Sequence, residues 1–371
     1  MGVRNQTGYH PYPRETSPFE PGRLVSKIQA VDLFCGAGGL SYGLKKAGIE
    51  IRAGIDLDPA CCFPFERNIK ASFIEEDVGS LDGNTVQELF DDEGIRVLAG
   101  CAPCQPFSRY TTGKGTGDER WQLLLDFLRI VDEIRPEIVT LENVPGLSRL
   151  ALWKHFVSSL ETSGYHVVWD VLNTAHYGVP QNRNRLVLMA SRLGKIEMPK
   201  RHSGRSRTVW SCIGNLPPVS AGSSNDDDPL HRSRALTPIN VARIKASRPA
   251  GTWREWPEEM RVACHQSERG RTYPSVYGRM SWSQPSPTIT TQFYGFGNGR
   301  FGHPEQDRAL TLREGAMLQS FPKTFEFVPR GQSVSFREIG RLIGNAVPPA
   351  LGRAIGQAII RHVIAASSAS A

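Results

Sequence analysis

The 371-residue chain is predicted to form an α/β fold, a mostly parallel sheet accompanied by a smaller irregular domain. Three observations predict it. Between residues 28 and 193, short apolar runs alternate with amphipathic stretches, the pattern of a sheet covered by helices on both faces. Cys35, Asp56, Cys104 and Glu142 fall at or just after the ends of those runs, where open parallel sheets bind their ligands. Residues 195–290 then lose periodicity and become rich in Arg, Ser, Pro and Trp, before compact helical patterning returns.

Each element has its own warrant. Residues 28–34 read as a buried strand and 41–47 as a helix with Leu44 facing inward. Between them lies Gly36-Ala37-Gly38-Gly39, a turn whose missing Cβ atoms let backbone approach a ligand. Residues 51–55 form a short strand ending at Asp56. Asp58-Pro59 opens a helix, because proline is tolerated in a first turn. Residues 95–99 are a strand. Leu124, Phe127, Leu128, Val131 and Ile134 recur at helical spacing within 121–134. Strands at 138–141, 165–172 and 185–190 and a helix at 150–160 complete the alternation. Farther on, 310–318 and 336–343 read as helices, and 350–360 as a closing amphipathic helix.

Composition narrows the function. Hydrophobic residues make up 39% and charged residues 22%, so a substantial core is expected and global disorder is not. The net charge of +7 is compatible with a nucleic-acid partner without requiring one. No apolar run approaches the length of a membrane span, and the polar, proline-rich first 26 residues read as an arm rather than a leader. The seven cysteines, an odd number, suit a reducing, cytoplasmic compartment.

Two motifs carry chemistry. Cys101-Ala-Pro-Cys104 follows one predicted strand, and Glu142-Asn143-Val144 follows another. A thiol and a carboxylate at one sheet edge suit nucleophilic and acid–base work. A redox reading of the Cys-x-x-Cys pair is disfavoured by Pro103 and Pro106, and no second pair completes a zinc site, so no metal is expected. No Gly-Lys-Ser or Gly-Lys-Thr follows a strand, which argues against ATP hydrolysis. Cys264-His265 stands without a supporting motif and reads as ordinary packing.

The motifs together resemble the DNA cytosine-5 methyltransferases, the bacterial type in particular. They are, in the family's order, Asp32-Leu33-Phe34-Cys35-Gly36-Ala37-Gly38-Gly39, Pro103-Cys104-Gln105-Pro106-Phe107-Ser108, Glu142-Asn143-Val144, Gln181-Asn182-Arg183-Asn184-Arg185, Leu312-Arg313-Glu314 with Leu318-Gln319-Ser320-Phe321-Pro322, and Gly344-Asn345-Ala346-Val347-Pro348-Pro349. The resemblance covers most of 28–193 and 273–362. It implies a Rossmann-like, S-adenosylmethionine-dependent methyltransferase sheet and a smaller, irregular target-recognition domain. The expected division is an arm at 1–26, a catalytic and cofactor-binding domain at 27–193, target recognition at 194–302, and a return to the catalytic domain at 303–371.

The resemblance also implies roles. Cys104 is the nucleophile that adds to cytosine C6, and Glu142 meets the N3 edge. Arg183 contacts the target nucleotide, while Arg185 braces the loop by pairing with a carboxylate. For the cofactor, Phe34 packs on the adenine, and backbone around Gly36, Gly38 and Gly39 holds the methionine part. Asp56 accepts the ribose hydroxyls, Leu57 lies on the adenine face, and Asp77-Val78 reads the adenine amino group. Ser41, Pro103, Asn345 and Val347 complete the pocket. The substrate is double-stranded DNA, and the target base must leave the helix, at a cost of a few kcal/mol. Residues 105–116 are expected to close over it, with Gln105, Ser108, Arg109 and Lys114 meeting DNA. Arg201, Arg205 and Arg207 are expected on phosphates, and Arg232 and Arg234 are weaker candidates. A monomer is expected, with any cognate restriction endonuclease acting separately. The alternatives on the same scaffold are an RNA cytosine-5 methyltransferase and a non-catalytic DNA-binding protein.

Overall fold

A computed structural model describes residues 27–103, 119–268, 270–272 and 274–369. Strand β1 (Ile28–Leu33) leads through the glycine turn into helix α1 (Gly39–Ala47), and β2 (Glu50–Asp56) into α2 (Cys62–Ile69). Next come β3 (Ser72–Glu75), α3 (Gly83–Glu88), β4 (Ile95–Gly100), α4 (Glu119–Ile134), β5 (Ile138–Asn143), α5 (Ala151–Thr162), β6 (His166–Asn173) and β7 (Asn184–Ser191). Asp58 caps the short turn Pro59–Cys61 ahead of α2, its carboxylate accepting from the Ala60 N–H at 3.2 Å.

The seven strands lie in the order β3-β2-β1-β4-β5-β7-β6. Pairings from β3 through β5 are parallel, whereas β7 runs antiparallel to both β5 and β6. The chain winds outward from β1 to β3, then returns to β4 on the other side of β1. That reversal puts a crevice beyond the carboxyl ends of β1 and β4, where doubly wound sheets bind ligands. Register aligns the ends: Leu33 pairs with Gly100, and Gly100 with Leu141, so Glu142 follows beside Cys101.

Both faces are covered. Val31, Leu98, Phe127, Val131 and Phe156 form the core under α4 and α5. Ala30, Leu44, Phe65, Val97 and Ile355 form the core under α1 and α2. On that second face lies the last helix, α11 (Pro349–Ala369). It crosses α1 closely: a Cβ on Gly43 would sit 2.3 Å from the Pro349 carbonyl oxygen, so only glycine fits.

The rest of the chain is mostly irregular. It holds the short helices α6 (Val209–Ile213), α7 (Pro238–Ala246) and α8 (Ala263–Gln266), then α9 (Leu312–Leu318) and α10 (Phe336–Asn345). Ile213, Phe293, Phe321, Phe325 and Ile343 form a third core, and Ile244, Trp253, Trp256 and Phe296 a fourth. Among the described residues, no helix is long and apolar enough to cross a membrane.

Candidate active site

The carboxylate of Glu142 ends β5 and is 2% exposed. Cys101 Sγ donates to its Oε2 at 3.0 Å. Arg185 Nε lies 2.9 Å from Oε1, but without the alignment of a hydrogen bond, so Oε1 has no hydrogen-bond partner. The next residue, Asn143, donates from Nδ2 to the Ala102 carbonyl at 3.1 Å and accepts the Val144 N–H at 2.7 Å. Asn143 therefore ties the segment leaving β4 to the end of β5. Pro103 is exposed. Cys104, Gln105, Ser108, Arg109 and Lys114 lie outside the described residues.

Arg185 stands beside a carboxylate, the pairing expected of it, whereas the fork of Arg183 is turned to protein carbonyls. Arg183 is buried, 3% exposed, and donates from its two terminal nitrogens to the Ile289 carbonyl at 2.8 Å and the Gly344 carbonyl at 3.0 Å. Its fork is thus occupied by protein, and only Nε is unpartnered. Burial, then repulsion from Arg185, lowers its pKa to about 9, so it is still a cation at neutral pH. Arg185 is the arginine beside the Glu142 carboxylate. Gln181 fastens the same loop: it donates to Gln319 Oε1 at 2.8 Å and accepts the Ile289 N–H at 2.9 Å. Sequence reasoning passed over Cys101 and Gln181 as site residues. The signal for Cys101 was strand register, which sets it beside Glu142 once Gly100 is paired with Leu141.

The glycine turn lies at the end of β1. Phe34 and Gly36 both take the left-handed region, at φ +58 and +53. Nothing lies within 4 Å of where a Cβ on Gly36 would point, so that position borders open space. Gly38 and Gly39 serve packing instead. A Cβ on Gly38 would meet Phe65 at 3.0 Å, and one on Gly39 the Val347 carbonyl oxygen at 2.2 Å. Ser41 is buried and donates to Asp32 Oδ2 at 2.5 Å, leaving Asp32 Oδ1 unpartnered. Burial raises the Asp32 carboxyl to about 7.

Asp56 ends β2 with Oδ2 accepting the Gly36 N–H at 2.9 Å and Oδ1 the Asp58 N–H at 3.0 Å. Burial raises its pKa, and those two bonds oppose the rise. The adjacent Leu57 is 64% exposed at the mouth of the crevice. Asp77 is exposed and accepts the Gly79 N–H at 2.9 Å, while Val78 is buried. Asn345 is exposed at the end of α10, and Val347 is buried.

The basic candidates are spread more widely. Arg201 lines a cleft of about 180 Å³ with Tyr177, Lys200, Arg353 and Arg361, and among the described residues no acidic side chain lines it. Arg205 is exposed and Arg207 half-buried. Arg232 stacks over the Phe336 ring at 5.4 Å, and Arg234 over Tyr294 at 5.9 Å. His265 packs face to face on Trp253 with ring centroids 4.4 Å apart.

The family model for C-5 cytosine-specific DNA methylase matches residues 28–361. The chain is 47% identical over 338 residues to the type II methylase M.HgiDII of Herpetosiphon aurantiacus, covering 90% of this chain and 95% of that protein. It is 32% identical over 349 residues to the type II methyltransferase M1.BsuMI of Bacillus subtilis, covering 88% and 79%. Among solved structures, the Dnmt2 methyltransferase of S. pombe superposes with a TM-score of 0.57 at 18% identity, covering 91% of this chain and 99% of that one, a likeness of fold. With a family model spanning nearly the whole chain and a relative this similar, the chain belongs to the C-5 cytosine-specific DNA methylases and is a DNA (cytosine-5-)-methyltransferase.

Proposed function

We propose that the protein transfers a methyl group from S-adenosylmethionine to C5 of a cytosine flipped out of duplex DNA, through a covalent bond between Cys104 and C6. The observation that carries this reading is Glu142, a buried carboxylate with one unpartnered oxygen that follows Leu141, whose partner in β4 is Gly100, four residues before Cys104.

The residues at the crevice fit the cofactor. Gly36 borders open space, Leu57 offers an exposed apolar face, and the Asp56 oxygens keep lone pairs beyond their two backbone bonds. Phe34, Pro103, Asn345, Val347 and Asp77-Val78 complete the set this reading assigns. When bound, S-adenosylmethionine supplies an electrophilic methyl group to C5.

The chain's own residues do the rest. The Cys104 thiolate adds its electron pair to C6, which breaks the ring's aromaticity and moves electron density toward C5. Glu142 meets the N3 edge, where negative charge develops. Arg185 holds the carboxylate from the side, and Arg183 acts as a positioning residue that locks its loop to the Ile289 and Gly344 carbonyls. After methylation the C5 proton leaves to water and the S–C6 bond breaks, which returns the thiolate. DNA phosphates are assigned to Arg201 and its basic cleft, with Arg205, Arg207, Lys114 and Arg109. Target recognition is assigned to 194–302, and catalysis to 27–193 with 303–371. The enzyme acts as a cytoplasmic monomer in this reading, with any restriction endonuclease a separate protein.

Tritium transfer from labelled S-adenosylmethionine into duplex DNA and into RNA tests the substrate. Label in DNA alone is expected, and label in RNA alone overturns the reading. Bisulfite sequencing of the modified DNA then gives the recognised site.

A further inference from the structure

We infer that Cys101 is a positioning residue for the reaction: its thiol takes one oxygen of Glu142 and so reserves the other for the base. The inference rests on the proposed role of Glu142 and goes one step beyond it.

The geometry is asymmetric. Cys101 Sγ lies 3.0 Å from Oε2 as a donor, whereas the buried Oε1 accepts no hydrogen bond. A carboxylate that is 2% exposed loses most of its hydration, so each remaining donor weighs heavily on where the group points. Arg185 Nε stands 2.9 Å from Oε1 but out of line for a bond, so it attracts the carboxylate without saturating that oxygen. Three groups thus fix three things. The β5 backbone sets the Cα position, the Cys101 thiol sets the rotation of the carboxylate, and Arg185 supplies charge. The Cys101 N–H in turn bonds the Leu33 carbonyl at 3.3 Å, and Asn143 bonds the Ala102 carbonyl, so the thiol is presented from backbone held on both sides.

A thiol can donate to one carboxylate oxygen, which is all the task needs. An apolar residue would leave both oxygens open and the group free to turn toward Arg185. Cys101 is distinct from the proposed nucleophile and makes no bond to substrate.

The test is a double-mutant cycle on the full-length enzyme, read by single-turnover methylation at saturating duplex DNA and S-adenosylmethionine, with thermal unfolding of each variant as a check on folding. C101A is expected to lower the methylation rate about tenfold while KM for DNA changes less than twofold, and C101S, which restores a donor, to recover within about threefold of wild type. In an E142Q background, C101A should cost less than about twofold, since the residue it acts through is already gone. A C101A enzyme with wild-type rate overturns the inference, as does an undiminished tenfold loss in the E142Q background. Full activity of E142Q itself would instead sink the role given to Glu142, so the two failures are separable.

Discussion

The carboxyl edge of the sheet and the segment from 194 to 314 both bury charge, but they treat it in opposite ways. At the sheet edge, Asp32 Oδ1, Glu142 Oε1 and Arg183 Nε are enclosed and unpartnered, and Leu57 stands exposed. In the irregular segment, arginines are saturated. Arg279 donates to the carbonyls of Ile244, Ser247, His303 and Gln306. Arg308, 1% exposed, grips Glu314 with two bonds of 2.8 and 2.7 Å. Long stretches without a sheet or long helices leave backbone carbonyls that need donors, and arginine supplies several at once. Polar groups there hold the chain together. At the sheet edge, regular pairing already satisfies the backbone, so side chains are left over for chemistry. In the irregular segment, buried arginines with every partner in place mark architecture; at the sheet edge, the unpartnered oxygen of Glu142 marks the site.

The sharpest way to break this contrast is to remove a partner from the saturated region. We predict that R308M destabilises the fold by about 3–5 kcal/mol, because it strands a buried carboxylate, whereas replacing Arg308 and Glu314 together with apolar residues recovers much of that loss. Urea denaturation reads both; equal costs would mean the pair is not acting as a unit.

At the sheet edge the expected loss is in rate rather than stability. E142Q should lower single-turnover methylation about 10²–10³-fold with an unfolding midpoint close to wild type. A comparable fall in stability would place Glu142 with the structural charges instead.

Acid should act on the saturated region first. Burial pushes Glu314 up, but the charge and hydrogen bonds of Arg308 overcome it and leave the carboxyl at about 2. Burial lowers His303 to about 4. An unfolded histidine titrates near ~6.5 and an unfolded glutamate near ~4.3. The folded state therefore binds fewer protons than the unfolded one, from about pH 6.5 down to 4 at His303 and from about 4.3 down to 2 at Glu314. Stability should fall continuously as pH drops through both windows. H303N should flatten only the upper one in pH-dependent urea titrations, and an unchanged slope there would contradict the assignment.

Two smaller effects sharpen the contrast further. D56A should weaken S-adenosylmethionine binding about tenfold by calorimetry, through lost hydrogen bonds to the ligand; unchanged affinity would remove Asp56 from the cofactor site. Smallest of all, K200A and R201A should each reduce the slope of log K for DNA against log salt by about one, if each meets a phosphate. An unaltered slope would leave the cleft outside the DNA footprint.

How much of this was legible in the sequence depends on periodicity and register. The long helix over Leu124–Ile134 and the strands carrying Asp56 and Glu142 announced themselves through apolar spacing. The short β3 and the polar α3 did not, since four to six residues hold too few apolar positions to show a period. The reversal of β7 was invisible, because direction leaves no mark in composition. Motif spacing brought Glu142 and the arginines to one place. It could not say which arginine is locked into carbonyls, since that depends on the Ile289 and Gly344 backbone, more than 100 residues distant. Helix α9 was expected from residue 310 and begins at Leu312, because Thr311 and Glu314 close a capping box there.

The most direct test of the account is trapping on duplex DNA that carries 5-fluorocytosine at the target, with S-adenosylmethionine present. Fluorine cannot leave as a proton does, so the S–C6 bond cannot break. The wild-type protein should form an adduct that survives denaturing electrophoresis, and C104S should form none while still binding DNA. An adduct that persists in C104S, or methylation at full speed without that sulfur, would contradict the account.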